Sequence, residues 1–320
     1  MEIPVELRTR VYVDGYNLYY GCLKGTPYKW LDLHALFDRI LASVTCEVDG
    51  VMCNRVWQKP AIKYFTAPKL RRFASDDSVV ASQAQYHNAL RGHLGSSIAI
   101  VEGYFDAKPA RAHVYDARVP PLESASVDIW KVEEKQSDVA LALHAYGDAL
   151  RGEVDQVVIV SNDTDLAPAL RMIRTQTNVL VGLVTPTCDR TRHGNREFGE
   201  LAHWIRRHVT QQELAASQLP SMVRDGKRVI HKPTAWYPWP GRLQPVLDEV
   251  IRIRGSKGAA LKWLNQPNTF FQGRRPIDLL DSETCTRELL DYLARYALEF
   301  TVPAARYNSM HPMHHPPQQR

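Results

Sequence analysis

The sequence predicts an α/β protein with a mostly parallel central sheet that helices cover on both faces. Two observations support this class. Short apolar runs alternate with helical patterns from residue 10 to about residue 208. The runs QVVIVS and VLVGLV are β-branched and apolar on both faces, as in parallel strands buried between two layers of helices. Alternation of this kind is typical of a doubly wound fold.

The elements follow from two local patterns. Each strand is predicted from a short run rich in Val, Ile, Tyr or Phe, and each helix from apolar residues three or four positions apart. In chain order, the predicted strands cover residues 11–14, 62–66, 98–105, 156–161 and 179–184. The predicted helices cover residues 31–41, 76–94, 137–150, 165–175 and 198–208. Ligands of such sheets bind at the carboxyl ends of the strands, so residues there are the first candidates for function.

The composition is that of an ordinary globular protein. Of the 320 residues, 44% are hydrophobic and 23% are charged, and no run of eighteen apolar residues suggests a transmembrane helix. The five cysteines form no CxxC pair, which argues against a disulfide framework or a cysteine-based zinc site. The first residues lack an apolar signal sequence, so we expect a cytoplasmic protein without a membrane partner. The net charge of +5 is compatible with nucleic-acid binding but does not demonstrate it.

A change in composition after residue 215 indicates a second unit. We predict an α/β nuclease-like domain over residues 1–215, an ordered connector over 216–242, a helical interaction domain over 243–302 and a disordered tail over 303–320. The connector is rich in Pro and Trp. The tail is polar and rich in Pro and His, so it cannot bury enough apolar surface to fold.

Aspartates stand at the ends of two predicted strands and at the start of a helix. Asp14 ends the first strand in VYVDGYN, and Asp163 and Asp165 follow the strand QVVIVS. Asp138 lies at the start of the helix predicted over 137–150. One aspartate at such a position is often a helix N-cap, but a cap needs only one side chain. A doubly wound sheet would direct all four carboxylates into one crevice.

Four converging carboxylates would require a cation. Two unit charges ~4 Å apart interact by ~4 kcal/mol at an effective dielectric constant of ~20. Oxygen ligands favour Mg²⁺ or Mn²⁺ over zinc, and these ions support phosphodiester hydrolysis. We therefore expect catalytic and metal-binding roles for Asp14, Asp138, Asp163 and Asp165. Nearby polar residues that could orient water or substrate are Asn17, Lys135, Ser161 and Asn162.

Three motifs, in order and spacing, resemble those of the NYN domain, a relative of PIN-domain and FLAP-type nucleases. They are VDGYNLY, KQSDVALA and VSNDTDLAPAL, and the resemblance covers roughly residues 8–210. It implies a PIN-like three-layer α/β/α sandwich, an acidic pocket that holds a divalent metal, and cleavage of RNA. The residues that match the motifs are Asp14, Asn17, Asp138, Ser161, Asp163 and Asp165.

The stretch 258–296 resembles the C-terminal toxin-binding domain of the MbcA/ParS/Xre antitoxin family. It shares that family's pattern of WL, PN, Gly, Pro and LL. The resemblance implies a small helical module that binds a partner protein or a second copy of the chain. No helix-turn-helix pattern precedes it, which argues against repressor activity. The alternative is a helical appendage that packs on the α/β domain.

The sequence therefore predicts a Mg²⁺- or Mn²⁺-dependent ribonuclease whose partner is RNA. Two alternatives remain open. One is a non-catalytic regulatory protein that binds nucleic acid or a nucleotide, and the other is a DNA flap nuclease or phosphatase that uses the same pocket. The predicted helix 76–94 carries Gln83, Tyr86, His87 and Arg91 on one face. These side chains either contact substrate at the pocket mouth or belong to an ordinary amphipathic helix.

Overall fold

The computed structural model describes residues 5–45, 47–48, 51–74, 77–192 and 196–301. The chain divides into two compact units, Met1–Trp236 and Tyr237–Arg320. The predicted tail over 303–320 lies outside the described residues. Within those residues, no helix combines the length and the apolar composition needed to cross a bilayer.

The strands of the first unit form one large sheet and two separate ribbons. In chain order they are β1 (Val5–Asp14), β2 (Glu47–Val48), β3 (Val51–Thr66), β4 (Ile98–Glu102), β5 (Tyr104–His113), β6 (Ser126–Lys135), β7 (Gln156–Val160), β8 (Leu180–Val184), β9 (Trp204–Arg206), β10 (Met222–Asp225) and β11 (Arg228–His231). The large sheet has the order β2-β3-β1-β7-β8-β9, and β4 also pairs with β3. Its described pairings are parallel except that of β2 with β3, so the predicted mostly parallel sheet is confirmed. The pairs β5–β6 and β10–β11 are antiparallel ribbons.

Helices cover both faces of the large sheet, as predicted, and form most of the second unit. In chain order they are α1 (Gly15–Leu18), α2 (Leu33–Ala42), α3 (Asp77–Leu94), α4 (Ser137–Leu150), α5 (Ala167–Gln176), α6 (Arg196–Glu200), α7 (Gln211–Ala216), α8 (Pro240–Arg254), α9 (Lys257–Leu264) and α10 (Glu283–Thr301). Val11 and Val13 of β1 share a core with α2 and α3, whereas Tyr12 shares a core with α4 and α5. The three-layer α/β/α arrangement follows from this alternation.

The strand predicted over 98–105 is shorter in the structure, because the chain leaves the sheet at Gly103. The Gly103 N–H donates to the Thr66 carbonyl oxygen at 2.8 Å. A Cβ at Gly103 would lie 2.3 Å from the Lys135 carbonyl oxygen, so a larger residue would not fit. The chain then enters the ribbon β5–β6. The periodicity did not predict this ribbon, because most of its side chains are exposed or half-buried on both faces.

The prediction of a helix over residues 198–208 is wrong in its second half. The structure has the short helix α6 and then the strand β9, which pairs with β8. The Trp204 ring lies so close to Gly182 that a Cβ at Gly182 would come within 2.1 Å of it. Pairing at the sheet edge and the packing of this ring outweigh local helical preference.

The segment 216–242, predicted as a connector, contains the ribbon β10–β11. Val223 of this ribbon shares a core with Ala89 and Leu90 of α3. The second unit has its own core, built from α8, α9, α10 and a 3₁₀ helix over Pro276–Asp281. The predicted C-terminal helical region is therefore confirmed.

A buried carboxylate joins α4 to the neighbouring strands β1 and β3. Asp148 of α4 is fully buried. Its Oδ2 accepts hydrogen bonds from Arg10 at 2.6 Å, Tyr12 at 2.7 Å and Lys63 at 2.6 Å. Burial raises the pKa of Asp148, but the hydrogen bonds from Lys63, Tyr12 and Arg10 outweigh burial and hold it below its usual value. Removing one partner of a buried ion pair leaves the other charge uncompensated, which costs about 3–5 kcal/mol.

We expect Asp148→Asn to lower the free energy of unfolding by about 3–5 kcal/mol, because Arg10 and Lys63 would lose a buried counter-charge. The matched control is Asp155→Asn. Asp155 accepts three hydrogen bonds from Arg8, one from the backbone N–H and two from the guanidinium group, on a partly exposed surface, so its loss should cost no more than about 1 kcal/mol. Urea unfolding followed by circular dichroism measures both variants. Equal losses would contradict the role given to Asp148.

The same carboxylate gives a pH dependence. Because the pKa of Asp148 is lower in the folded chain, its stabilisation is present above the ordinary carboxyl pKa of about 4. This stabilisation is lost as the pH falls through the folded-state pKa. Acid unfolding of the wild type should therefore be steeper than that of Asp148→Asn.

Candidate active site

The site begins where β1 ends. Asp14 is 5% exposed and is the N-cap of α1. Its Oδ1 accepts from the Asn17 backbone N–H at 2.9 Å. Its Oδ2 accepts from the Asn17 side-chain amide at 2.7 Å and from the Ser161 hydroxyl at 2.9 Å. The sequence argument favoured metal ligation over capping for Asp14; the structure has the cap, and metal ligation stays a prediction.

Strand register explains why Ser161 meets Asp14. β1 and β7 are parallel neighbours, and Val13 lies opposite Val160. The residues that follow these two positions therefore lie side by side at the carboxyl edge of the sheet. This edge is where the sequence placed the candidate site.

The loop after β7 continues the hydrogen-bond network. The Ser161 hydroxyl accepts from the Asp163 N–H at 3.1 Å. Asp163 accepts from the Asp165 N–H at 3.0 Å and is the N-cap of the 3₁₀ turn that follows. The Asn162 N–H donates to the Asn17 side-chain oxygen at 3.4 Å. Ser161 is thus one hydrogen bond from the Asp14 carboxylate, Asn162 and Asp163 are two, and Asp165 is three.

Asp138 approaches this edge from α4. It lies in the first turn of α4, and Gln136, at φ +79°, turns the chain from β6 into the helix. Burial raises the pKa of Asp138 to about 6 with help from neighbouring negative charges. In decreasing order, these charges belong to Asp14, Asp163, Glu134 and Asp165. The four predicted aspartates therefore share one electrostatic field, and we call them the acidic cluster.

The neighbouring negative charge also acts on the carboxylate of Asp14. Burial raises the pKa of Asp14, and the charge of Asp163 adds to the rise. The hydrogen bonds from Asn17 and Ser161 oppose it, because they stabilise the ionised carboxylate. The acidic cluster thus holds negative charge that its own hydrogen bonds offset only in part.

The strand β6 carries one residue that the sequence analysis predicted for the site and one that it did not single out. Lys135, a predicted substrate-binding residue, donates to Glu133 at 2.9 Å, because residues two apart on a strand share a face. This pair raises the pKa of Lys135. Glu134 was not singled out, yet it accepts from the Ser137 N–H at 3.3 Å and adds to the field at Asp138. Its place directly before the KQSD motif was the available signal.

A cleft of about 300 Å³ opens beside the acidic cluster. Asn17 and Asn162 line it on the side of the acids, and Tyr16, Tyr20 and Arg192 also line it. The Tyr20 ring is 58% exposed. The cleft therefore holds a guanidinium group and an exposed aromatic ring, and Asn17, which lines it, hydrogen-bonds to the Asp14 carboxylate, although none of the four aspartates lines the cleft itself.

The donor set of the acidic cluster suits a hard cation. It consists of carboxylate, amide and hydroxyl oxygens, which favour Mg²⁺ or Mn²⁺. In the described part of the chain, no three His, Cys, Asp or Glu side chains are gathered closely enough to enclose one ion. Mg²⁺ usually keeps several waters and is held by one or two carboxylates. The cluster therefore fits a partly hydrated dication, which would also relieve the field that raises the pKa of Asp138.

Comparison with known families agrees with both resemblances in the sequence. Residues 8–198, more than half of the chain, match the NYN domain. Residues 246–297 match the antitoxin Xre/MbcA/ParS C-terminal toxin-binding domain.

One relative matches almost the whole chain. It is named 6-hydroxy-3-succinoylpyridine 3-monooxygenase HspA of Pseudomonas putida and is 47% identical over 293 residues, which cover 90% of this chain and 94% of the relative. A crystal structure of a protein of unknown function from Vibrio parahaemolyticus is 19% identical, covers 68% of this chain and 100% of its own, and has a TM-score of 0.39. That second likeness is too distant to support a conclusion. The family match over residues 8–198, together with the sheet described above, shows that the chain belongs to the NYN domain family and has its PIN-like α/β fold.

Proposed function

We propose that the first unit is a Mg²⁺- or Mn²⁺-dependent ribonuclease that hydrolyses phosphodiester bonds at the acidic cluster. The observation that carries this proposal is the hydrogen-bonded placement of Asp14, Ser161 and Asp163 at the carboxyl edge of the sheet, where Asp138 also interacts with their charges. Ligands of open α/β sheets bind at this edge. The nuclease-like fold of the family supports the same reaction class.

The residues of the cluster have distinct tasks in this proposal. A bound dication would lower the pKa of a water molecule and offset charge on the phosphoryl oxygens. Asp14 and Asp138 would hold it. Asp14 is fixed by three hydrogen bonds from Asn17 and Ser161, so its carboxylate keeps one orientation. Asp138 is the carboxylate whose ionisation its neighbours oppose most clearly, so it has most to gain from a cation.

The cleft beside the cluster suits a single strand of RNA. Arg192 offers a planar guanidinium group for a phosphate. The exposed ring of Tyr20 offers a surface on which an unpaired base can stack. Bases in a duplex are already stacked, so a single strand or a loop fits this cleft better.

The shared field can be measured without any metal. In chelator-treated protein labelled with ¹³C at the aspartate carboxyl, we expect Asp138 to titrate with a pKa of about 6. Asp14→Asn should lower that pKa, because among the neighbouring charges that of Asp14 raises it most. Asp155→Asn, at the opposite end of β7, should leave it unchanged. A pKa near 4 in the wild type, or no response to Asp14→Asn, would show that the carboxylates do not interact.

Cleavage itself is tested with the same variants. We expect Asp14→Asn and Asp163→Asn to lower Mn²⁺-dependent cleavage of single-stranded RNA by more than about 100-fold, since loss even of residues that support metal ligands costs about 10–100-fold. Asp155→Asn should cleave at the wild-type rate. Calorimetry with Mn²⁺ gives a readout besides activity: affinity should fall in both site variants, and also below about pH 6, where a proton on Asp138 competes with the ion.

The outcome of these assays also separates the alternative substrates. A panel of RNA, single-stranded DNA, flap DNA and a phosphomonoester distinguishes a ribonuclease from a flap nuclease or phosphatase. Mn²⁺ binding without cleavage of any of them would favour a non-catalytic binding protein. Full activity in both Asp14→Asn and Asp163→Asn would end the assignment of the site.

The relative named as a monooxygenase supports a second candidate, oxygenation of a hydroxypyridine acid, because its similarity covers nearly the whole of both chains. A monooxygenase places one oxygen atom of O₂ in its substrate and reduces the other to water, so it needs a two-electron donor. We expect no hydroxylated product when the full chain is given 6-hydroxy-3-succinoylpyridine, O₂ and reduced nicotinamide or flavin donors. A hydroxylated product, formed equally by the wild type and Asp14→Asn, would overturn the hydrolase proposal.

We also propose that the second unit binds a partner protein. Its match to a toxin-binding domain supports this role. Phe270 is 59% exposed and packs against Phe271 at 5.1 Å and Tyr292 at 4.3 Å between ring centroids. Exposed aromatic clusters of this kind are enriched at protein interfaces. Self-association through the same surface is the alternative.

A further inference from the structure

A second cavity of about 210 Å³ lies between α1 and α3, on the other side of α1 from the cleft. Its walls come from α1 and the turn after it, from β3, from α3 and from the segment before the second unit. We call it the tyrosine–lysine pocket. The argument uses Tyr19, Tyr64, Tyr86, Trp236, Lys29 and Lys69, all of which line it.

The aromatic walls of this pocket are held in place by contacts with one another and by one hydrogen bond to the chain behind them. The Tyr86 hydroxyl donates to the Leu31 carbonyl oxygen at 2.8 Å, and the Tyr86 ring packs edge-on against Trp236 at 5.7 Å between centroids. The Tyr64 ring lies against His87 at 5.9 Å. Burial lowers the pKa of His87 to about 4, so this wall is uncharged near pH 7. A planar ring entering the pocket would meet preformed aromatic faces.

The two lysines give the pocket a net positive charge. In the described residues, neither Lys29 nor Lys69 forms an ion pair with a carboxylate, although the Lys69 ammonium lies 5.7 Å from the centre of the Tyr19 ring. Burial lowers the pKa of Lys29, and the charge of Lys69 lowers it further. Two half-buried cations that line one pocket are stabilised when an anion binds near both of them.

We propose that the tyrosine–lysine pocket binds a planar aromatic ring that carries an anionic group, with the ring among Tyr19, Tyr64 and Trp236 and the anion at Lys29 and Lys69. The size is sufficient, because a cavity of about 150 Å³ in another protein binds benzene. This chemistry has two sources, a nucleotide unit and a free aromatic acid. The proposal does not depend on hydrolysis at the acidic cluster.

The test measures binding of small probes to the full chain in the presence of a chelator, so that the acidic cluster holds no metal. The probes are adenosine 5′-monophosphate and benzoate. Inorganic phosphate is the counterpart of the monophosphate that lacks a ring. Benzyl alcohol is the counterpart of benzoate that lacks a charge. We expect at least one of the two ring-bearing anions to bind at least tenfold more tightly than the matching counterpart, by calorimetry and by quenching of Trp and Tyr fluorescence.

Matched variants locate the binding. Lys29→Gln and Lys69→Gln should each weaken the bound probe about tenfold or more, as expected for loss of a charged contact. Lys24→Gln is the control, because its ammonium lies over the Tyr20 ring at 4.9 Å and outside this pocket. Asp163→Asn should keep the affinity, because Asp163 does not line this pocket, and this separates the site from the acidic cluster. Binding of the monophosphate alone identifies a nucleotide unit as the ligand, and binding of benzoate identifies a free aromatic acid. No preference over the counterparts, or affinity that both lysine variants leave unchanged, would overturn the proposal.

Discussion

The geometry of the candidate site depends on one buried carboxylate that lies well below it. Asp148 holds α4 against β1 and β3 through Arg10, Tyr12 and Lys63. A helix rises about 1.5 Å per residue, so fixing position 148 also fixes Asp138, ten residues earlier on the same helix. The network inside the core therefore keeps Asp138 close to the other acids against their mutual repulsion. The two acidic positions of α4 are stabilised in different ways, since Asp148 is fully buried among cations and Asp138 is half-buried and partly solvated.

The acidic cluster also shows that capping and convergence of charge are compatible. Asp14 caps α1 and Asp163 caps the turn after β7, so each satisfies a backbone N–H group. Caps direct a carboxylate toward the start of a helix, and in this fold those starts lie at the carboxyl edge of the sheet. The partial positive charge of helix N-termini offsets part of the negative field there. The rest of the field adds to the effect of burial, which is the main cause of the raised pKa of Asp138.

How much of this structure the sequence predicts depends on whether an element is determined by a local pattern or by contacts between distant parts of the chain. The central strands and α4 could be predicted because local apolar patterns indicate their burial. The helix α4 spans the predicted residues Ser137–Leu150. The proximity of Asp14 to Ser161 followed from the expectation that functional residues gather at the carboxyl ends of the strands. The strand β9 depends on the contact between Trp204 and Gly182, which are far apart in the chain. The ribbon β5–β6 buries no continuous face, so neither its existence nor the part played by its residue Glu134 could be predicted.

One side chain belongs to both cavities of the first unit. Tyr16 lines the cleft on one side of α1 and the tyrosine–lysine pocket on the other, and its hydroxyl is tethered to the Ala67 carbonyl oxygen at 2.8 Å. Any occupant that displaces this ring changes the shape of the neighbouring cavity as well. Affinities in the two cavities are then thermodynamically linked, and the factor by which one ligand alters the binding of the other is the same in both directions. A single tyrosine side chain thereby couples the shapes of the two cavities.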